Sequence, residues 1–169
     1  MKRLISMIFM LTLSTIVVGQ SDRLIPFTMK DQYDSTLTDA SLKAEVIVLL
    51  GADRKGSKFT DAWGKTIADS LRAIGAYERA QFVALANLQS APAAFRGMIK
   101  NSFRKPKIGS VLLDWQGAFA EAFQFVDDSC MILLFDRERQ LIYRKAVTQH
   151  DAAVAGELGR LLRGVFPKE

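Results

Sequence analysis

The sequence is poor in the residues that redox and metal-dependent enzymes most often use. It contains one cysteine and one histidine in 169 residues. A single cysteine excludes an internal disulfide and a C-x-x-C pair, so core packing alone must stabilise the fold. The one histidine, His150, has no Cys/His/Asp pattern around it. We therefore predict neither a metal site nor a Ser-His-Asp triad.

Long runs of one charge are also absent. The formal net charge is +5, from 23 basic and 18 acidic residues, and the basic residues are dispersed. A polybasic tail is therefore missing, and we predict no nucleic-acid partner. A hydrophobic content of 49% excludes an intrinsically disordered chain. The length suits one domain.

The N-terminal residues have the pattern of a secretory signal. Lys2 and Arg3 precede the apolar run Leu4–Val18, and Val17 and Gly19 have the spacing of a signal-peptidase site. We predict a cleaved signal peptide at 1–19 and one domain at 20–169, in the periplasm or secreted. A membrane span needs about 20 apolar residues, so no stable span is predicted after cleavage. The alternative is an uncleaved anchor.

Apolar periodicity predicts the order of strands and helices. Strands are predicted at Leu24–Asp31, Glu45–Gly51, Gln81–Leu88 and 109–117, with a hairpin over 131–146. The first helix is predicted from an N-cap at Ser57 to Gly75. The second is predicted from a cap at Ser90, with an apolar face at Phe95, Met98, Ile99 and Phe103. The last is predicted from near Thr148, with Asp151 as a capping-box partner, to Gly164. This order indicates an α/β protein with a mixed central sheet and helices on both faces.

The segment "VIVLLGADRKGSKFTDAW" (Val46–Trp63) has the strand–loop–helix order of a P-loop. A P-loop needs G-x-x-x-x-G-K-[ST], whereas here Ser57 and Lys58 are in the reverse order. One residue turns a helical side chain by about 100°, which moves the lysine away from the phosphate. An NTPase is not predicted. Anion binding at this helix start, beside Arg54, Lys55 and Lys58, remains open, as does the alternative that these are solvated surface cations.

The same segment resembles the active-site region of thioredoxins, with Lys55 and Lys58 at the two cysteine positions. "SVLLDWQGAFAEAFQF" resembles the peroxiredoxin-type strand, turn and short helix, and "SCMILLFDRERQLIYRKA" resembles the hairpin after the cis-proline. Together with "VALANLQSAPAAFRGMIKNSF", nearly all of the mature chain resembles the YtfJ-type family of exported bacterial proteins. That resemblance implies a thioredoxin-like three-layer sandwich that lacks the redox cysteine pair and has no cofactor.

We predict from this resemblance a non-catalytic binding or accessory protein of the cell envelope. Its working surface would be the loop Gly51–Lys58 with the turn at 129–131. The cations favour an acidic peptide, a protein or a small anion as the partner. The candidate binding residues are Arg54, Lys55, Gly56, Ser57, Lys58 and Ser129.

Two alternatives remain open for the same region. Cys130, at or beside the cis-proline position, could serve a single-cysteine thiol-disulfide or peroxide-reducing enzyme. In that case, nearby lysines would lower the pKa of its thiol. The second alternative is phosphate or nucleotide binding at the loop. Disulfide exchange generally needs a thiolate and a resolving thiol, and Lys55 and Lys58 supply neither.

Overall fold

A computed structural model describes residues 20–104 and 109–167. The predicted signal peptide at 1–19 lies outside these ranges, so its cleavage stays a prediction. None of the helices within the described ranges is long and apolar enough to cross a bilayer.

A five-stranded mixed sheet forms the centre of the molecule. In chain order its strands are β3 (Val46–Ala52), β4 (Ala80–Asn87), β5 (Val111–Asp114), β6 (Cys130–Phe135) and β7 (Leu141–Val147). Their spatial order is β5-β4-β3-β6-β7. The β3–β4 and β4–β5 pairs are parallel, and the β3–β6 and β6–β7 pairs are antiparallel. All seven residues of β3 are buried, as expected for a continuous apolar strand at the centre of a sheet.

Helices and a small hairpin cover the two faces of this sheet. The hairpin strands are β1 (Thr28–Lys30) and β2 (Thr36–Thr38), and the helices are α1 (Thr60–Ala73), α2 (Arg96–Ser102), α3 (Ala118–Ala122) and α4 (Ala152–Val165). On one face, α1 and α4 pack on alternate residues of β3 and β6, with Trp63 fully buried among them. On the other face lie α3 and the hairpin. The α/β class, the mixed sheet and the helices on both faces are confirmed.

Ser57 does not cap the first helix. Residues Gly56–Phe59 form a 3-10 turn, and α1 begins only at Thr60. The Ser57 hydroxyl donates to the carbonyl of Arg54 at 2.8 Å, and no helix N–H donates to it. The preceding Asp53 organises this turn instead, as described for the candidate site below.

The second predicted helix is shorter and less buried than its sequence indicated. Pro92 is extended, at φ −61° and ψ 138°, and it restricts the residue before it to extended conformations. Ser90 therefore cannot be the N-cap, and α2 starts at Arg96. Ile99 and Phe103 pack against β4 and β5, but Phe95 and Met98 are exposed. Half of the predicted apolar face thus lies outside the core.

The N-cap of the last helix lies three residues beyond the predicted one at Thr148. Its N-cap is Asp151, whose Oδ1 accepts from the N–H groups of Ala153 and Val154 at 2.8 and 3.2 Å. Asp151 thus takes the place predicted for Thr148. The predicted strand at Leu24–Asp31 is also shorter, because Thr28–Lys30 alone forms a strand, paired with Thr36–Thr38, and Asp31 adds an isolated bridge to Leu112.

Candidate functional site

The carboxyl end of β3 and the start of β6 lie side by side. Ala52 pairs with Cys130 in the antiparallel register, so the chain after Ala52 meets the turn that leads into Cys130. The predicted binding residues therefore do come together, as Arg54–Lys58 on one side and Ser129 on the other. We call residues 53–58 and 126–129 the loop–turn site.

Asp53 holds the two halves of the loop–turn site together. Its Oδ1 accepts from the N–H of Gly56 at 2.6 Å, and its Oδ2 accepts from the N–H of Asp128 at 2.9 Å. The N–H of Ser57 donates to the Asp53 carbonyl at 3.0 Å. A carboxylate of the chain itself thus takes the N–H group of Gly56, which a bound phosphate would otherwise use. This arrangement argues against the phosphate-binding alternative.

A backbone contact closes the site further. A methyl group added at Gly56 would lie 2.0 Å from the carbonyl oxygen of Ser129 and 2.5 Å from its carbonyl carbon. Ser129 is buried, and its hydroxyl donates to the Val126 carbonyl at 2.5 Å. The segment containing Gly56 therefore lies directly on the Ser129 peptide. Ser129 serves as packing surface, since little of it is accessible to a ligand.

One of the three cations of the loop, Lys55, has a carboxylate partner. Lys55 Nζ lies 2.9 Å from Asp128 Oδ2, and the pKa of Lys55 is raised mainly by this hydrogen bond. Both side chains are more than half exposed, so the ion pair stabilises the fold only weakly. Lys58 lies over the ring of Phe59, with Nζ 4.8 Å from the ring centre. Arg54 is exposed. The site is of mixed charge, which the sequence alone did not indicate.

An open cleft of about 470 Å³ adjoins the loop at the carboxyl ends of β3, β4 and β5. Asp53, Arg54 and Ser57 form its polar rim. Apolar side chains of β3, β4 and β5 line its floor together with Leu88 and Phe103, which follow β4 and α2, and Asp61 of α1 adds a carboxylate. Open α/β sheets commonly bind ligands outside the carboxyl ends of their strands. The cleft gives the site an apolar surface beside its charged one.

Cys130 lies beneath the loop–turn site and does not open onto it. The residue is fully buried in the core cluster formed by β3, β6, α1 and α4. Burial raises the pKa of its thiol to about 12, and no cation contributes to the shift. The prediction that nearby lysines lower this pKa is therefore wrong in direction. The register places the side chain on the sheet face covered by α1 and α4.

The buried thiol should make the protein less stable at alkaline pH. In the unfolded chain the thiol ionises near its free pKa of about 8.5 to 9, whereas in the folded protein it stays neutral up to a pKa of about 12. The free energy of unfolding therefore falls as the pH rises from the unfolded pKa toward the folded one. Between roughly pH 8 and pH 10.5, the wild-type chain should lose about 2 kcal/mol more unfolding free energy than Cys130→Ala. Urea unfolding at a series of pH values measures this. Parallel pH profiles for the two proteins would contradict it.

His150 and the acidic residues do not assemble into a metal site in the described ranges. The imidazole stacks on Trp63, with ring centres 5.7 Å apart, and the indole Nε1 donates to the Gln149 carbonyl at 3.2 Å. His150 thus covers the core tryptophan. Across residues 20–104 and 109–167, no three His, Cys, Asp or Glu side chains are grouped so that they could hold a metal ion.

Comparison with solved structures identifies the fold. The exposed lipoprotein thioredoxin Etrx1 of Streptococcus pneumoniae superposes with a TM-score of 0.58 at 15% identity, covering 80% of this chain and 99% of its own. A putative thiol:disulfide interchange protein DsbE from Chlorobium tepidum gives 0.59 at 12% identity, covering 87% and 97%. Copper-bound ScoI of Arabidopsis thaliana gives 0.54 at 10% identity, covering 85% and 99%.

These similarities show a thioredoxin-like fold, as predicted from the resemblance. Identities this low concern the fold alone and say nothing of a shared activity. No family model matches the chain, and no curated protein sequence matches it. The YtfJ-type assignment thus stays a prediction.

Proposed function

We propose that this chain is a non-catalytic binding or accessory protein that uses a thioredoxin-like scaffold. The burial of Cys130 carries the proposal. The only thiol in the sequence lies at 0% exposure with its pKa raised to about 12, so almost none of it is thiolate at neutral pH. Thiol-disulfide exchange needs an accessible thiolate and generally a second thiol.

The loop–turn site and the cleft beside it form the proposed binding surface. Asp53 already occupies the N–H of Gly56, so a small anion is a poorer fit than a peptide or protein segment. Such a segment would place an acidic side chain opposite the exposed Arg54 and Lys58 and an apolar side chain in the cleft. Because the loop is fixed by hydrogen bonds before binding, little ordering cost remains to be met by the partner.

Location and family belong to the same proposal. The signal-like residues 1–19 and the resemblance to the YtfJ-type family support an exported protein of the periplasm or cell envelope. The alternative is the single-cysteine redox enzyme. Its requirement is that Cys130 becomes accessible and ionised in the native protein.

The reaction of Cys130 with a thiol reagent separates the two functions. In the native full chain, we expect the reaction at neutral pH to be at least about a hundredfold slower than in denaturant, since both ionisation and access are suppressed. A fast native reaction with an apparent pKa below about 8.5 would establish an activated thiol and overturn the non-catalytic proposal.

Binding itself is tested in the native organism by a photo-crosslinking residue in place of Asp61, which is exposed and lines the cleft but is not a proposed binding residue. We expect a discrete crosslinked product that Asp53→Ala diminishes, because that change frees the loop from the turn. The matched control carries the crosslinker at Arg160, an exposed position on α4. Identical products at both positions, or none at position 61, would contradict binding at the loop–turn site.

A further inference from the structure

The central sheet is not fully covered between α1 and α2. The chain crosses from β4 to β5 through α2, a helix of seven residues that fully buries none of them. A crossover helix normally covers the sheet face above the strands that it connects. Here Ala84 of β4 and Val111 of β5 are only partly buried, and both line the cleft of about 470 Å³ beside the loop–turn site. The short crossover helix thus accounts for the cleft.

Three side chains from neighbouring strands form the floor of this cleft. The parallel register pairs Leu50 of β3 with Ala84 of β4, and it pairs Ala84 with Val111 of β5. Paired residues of a parallel sheet project from the same face, and Leu50 packs with α1 in the core cluster on this face. Alanine is the smallest of the three, so the floor is lowest at Ala84. A large apolar side chain from outside the protein would find its space there.

Hydroxyl groups line two sides of the cleft, at Ser57 and Thr60 beside the start of α1 and at Ser102 and Ser110 beside α2 and β5. Each of these hydroxyls donates its proton within the chain, over 2.6 to 2.9 Å, to the carbonyl of Arg54, Ser57 or Ile99 or to the Asp31 carboxylate. A hydroxyl has one proton and two lone pairs, so these groups can still accept hydrogen bonds. The two walls therefore offer acceptors to a ligand.

Acceptors on both walls favour a ligand that carries N–H donors. An extended polypeptide carries one backbone N–H per residue, and its residues repeat about every 3.3 Å. A carboxylate has no donor, and neither has an alkyl chain, so either of them would displace water from the hydroxyl oxygens without replacing its hydrogen bonds. The cleft is thus better suited to a peptide segment than to a small anion or a lipid chain.

The charged residues at the rim add an acidic neighbour to this description. Asp53 is engaged by the N–H groups of Gly56 and Asp128. Asp61 lies in the first turn of α1, where the positive end of the helix dipole balances a carboxylate. Arg54 is exposed and lines the same cleft. A carboxylate on the incoming segment, next to its apolar residue, would therefore pair with Arg54.

We propose that the cleft binds an extended segment of a partner protein through one large apolar side chain, which is seated on Ala84. The inference rests on the proposed function and deepens it, because it names the residue type that the partner inserts and the position that limits its size. Backbone N–H groups beside the inserted residue donate to hydroxyl oxygens of the two walls, and a neighbouring acidic residue meets Arg54. Ala84 is thus the residue that determines which partner segments fit.

Filling the floor of the cleft tests the inserted side chain. In the native organism, with the photo-crosslinking residue at position 61, Ala84→Leu should lower the yield of the crosslinked product at least about fivefold, because leucine occupies the space that the partner's side chain needs. Ala153→Leu adds the same atoms at an exposed position on α4 and should leave the yield unchanged. Equal yields for the two variants would overturn this inference while the proposed function stands. The absence of any product from the chain without these changes would contradict both.

Synthetic peptides test the donors without altering the protein. A fluorescent peptide of glycine and serine that carries one phenylalanine beside one glutamate is titrated with the unaltered full chain, and binding is followed by fluorescence anisotropy. Methylating the backbone nitrogens of the phenylalanine and the glutamate should weaken binding at least about fivefold, because it removes their N–H donors. The matched control carries the same methyl groups on two glycines at the far end of the peptide and should bind like the unmethylated peptide. No binding of the unmethylated peptide, or equal binding of the two methylated ones, would overturn the proposal.

Discussion

Gly56→Ala should lower the free energy of unfolding by about 3 to 5 kcal/mol, measured by urea denaturation. The added methyl group would lie 2.0 Å from the Ser129 carbonyl oxygen, closer than any stable contact allows. Both groups that clash are held by backbone, so no flexible side chain can move aside. The loop must separate from the turn, which also breaks the hydrogen bonds of Asp53 to Gly56 and Asp128.

Gly97 provides the matched control for this substitution. It lies in the middle of α2, and a methyl group there would meet no atom within 4 Å. Gly97→Ala should therefore stabilise the protein by about 0.5 to 1 kcal/mol through helix propensity. If Gly56→Ala instead behaves like Gly97→Ala, the close contact between the loop and Ser129 does not exist in solution.

Asp114→Ala should cost about 3 to 5 kcal/mol of unfolding free energy. Asp114 is only 2% exposed, and it ends β5 directly before α3. Its Oδ1 accepts from the N–H groups of Gly117 and Ala118 at 2.8 and 3.1 Å, and its Oδ2 accepts from Phe119 at 2.9 Å. Alanine would leave these donors without acceptors, and the donors of Gly117 and Phe119 are buried.

Asp151→Ala tests whether burial sets the size of this effect. Asp151 also receives two N–H groups at a helix start, but it is exposed, so water can replace it. That variant should cost only about 1 kcal/mol, as typical N-caps do. Asp114→Asn should fall between the two variants, because an amide nitrogen in place of Oδ2 faces the Phe119 N–H. Equal costs for Asp114→Ala and Asp151→Ala would show that burial does not strengthen the first cap.

Much of the fold follows from patterns that are local in the sequence. The uncharged run at Val46–Ala52 is typical of a strand buried on both faces, and the segment from Met131 to Ala146 has two apolar runs on either side of the charged turn at 136–139. Helix starts were harder to predict. Ser57, Ser90 and Thr148 are good capping residues near a helix, but Asp53, Pro92 and Asp151 determine the actual geometry. Local sequence cannot rank two capping groups that compete within a few residues.

The candidate site depended on contacts between distant parts of the chain. The sequence identified the loop and its cations, yet Lys55 pairs with Asp128, which is 73 positions away. The direction of the Cys130 pKa shift likewise depends on a register in which Cys130 faces the core opposite Ala52. One-residue alternation decides which of the two buried faces of the sheet receives the thiol, and composition carries no information on that choice.

The central strands of the sheet are prone to aggregation while the chain is still unfolded. β3 and β6 are uncharged segments of seven and six residues, the kind that stacks into cross-β aggregates when an unfolded chain exposes it. Charges stand at both ends of each: Glu45 and Asp53 beside β3, and Asp128 and Asp136 close to β6. Such gatekeepers oppose self-association of the unfolded chain. Asp53 thus protects the chain from aggregation before it folds, and afterwards joins the loop to the turn.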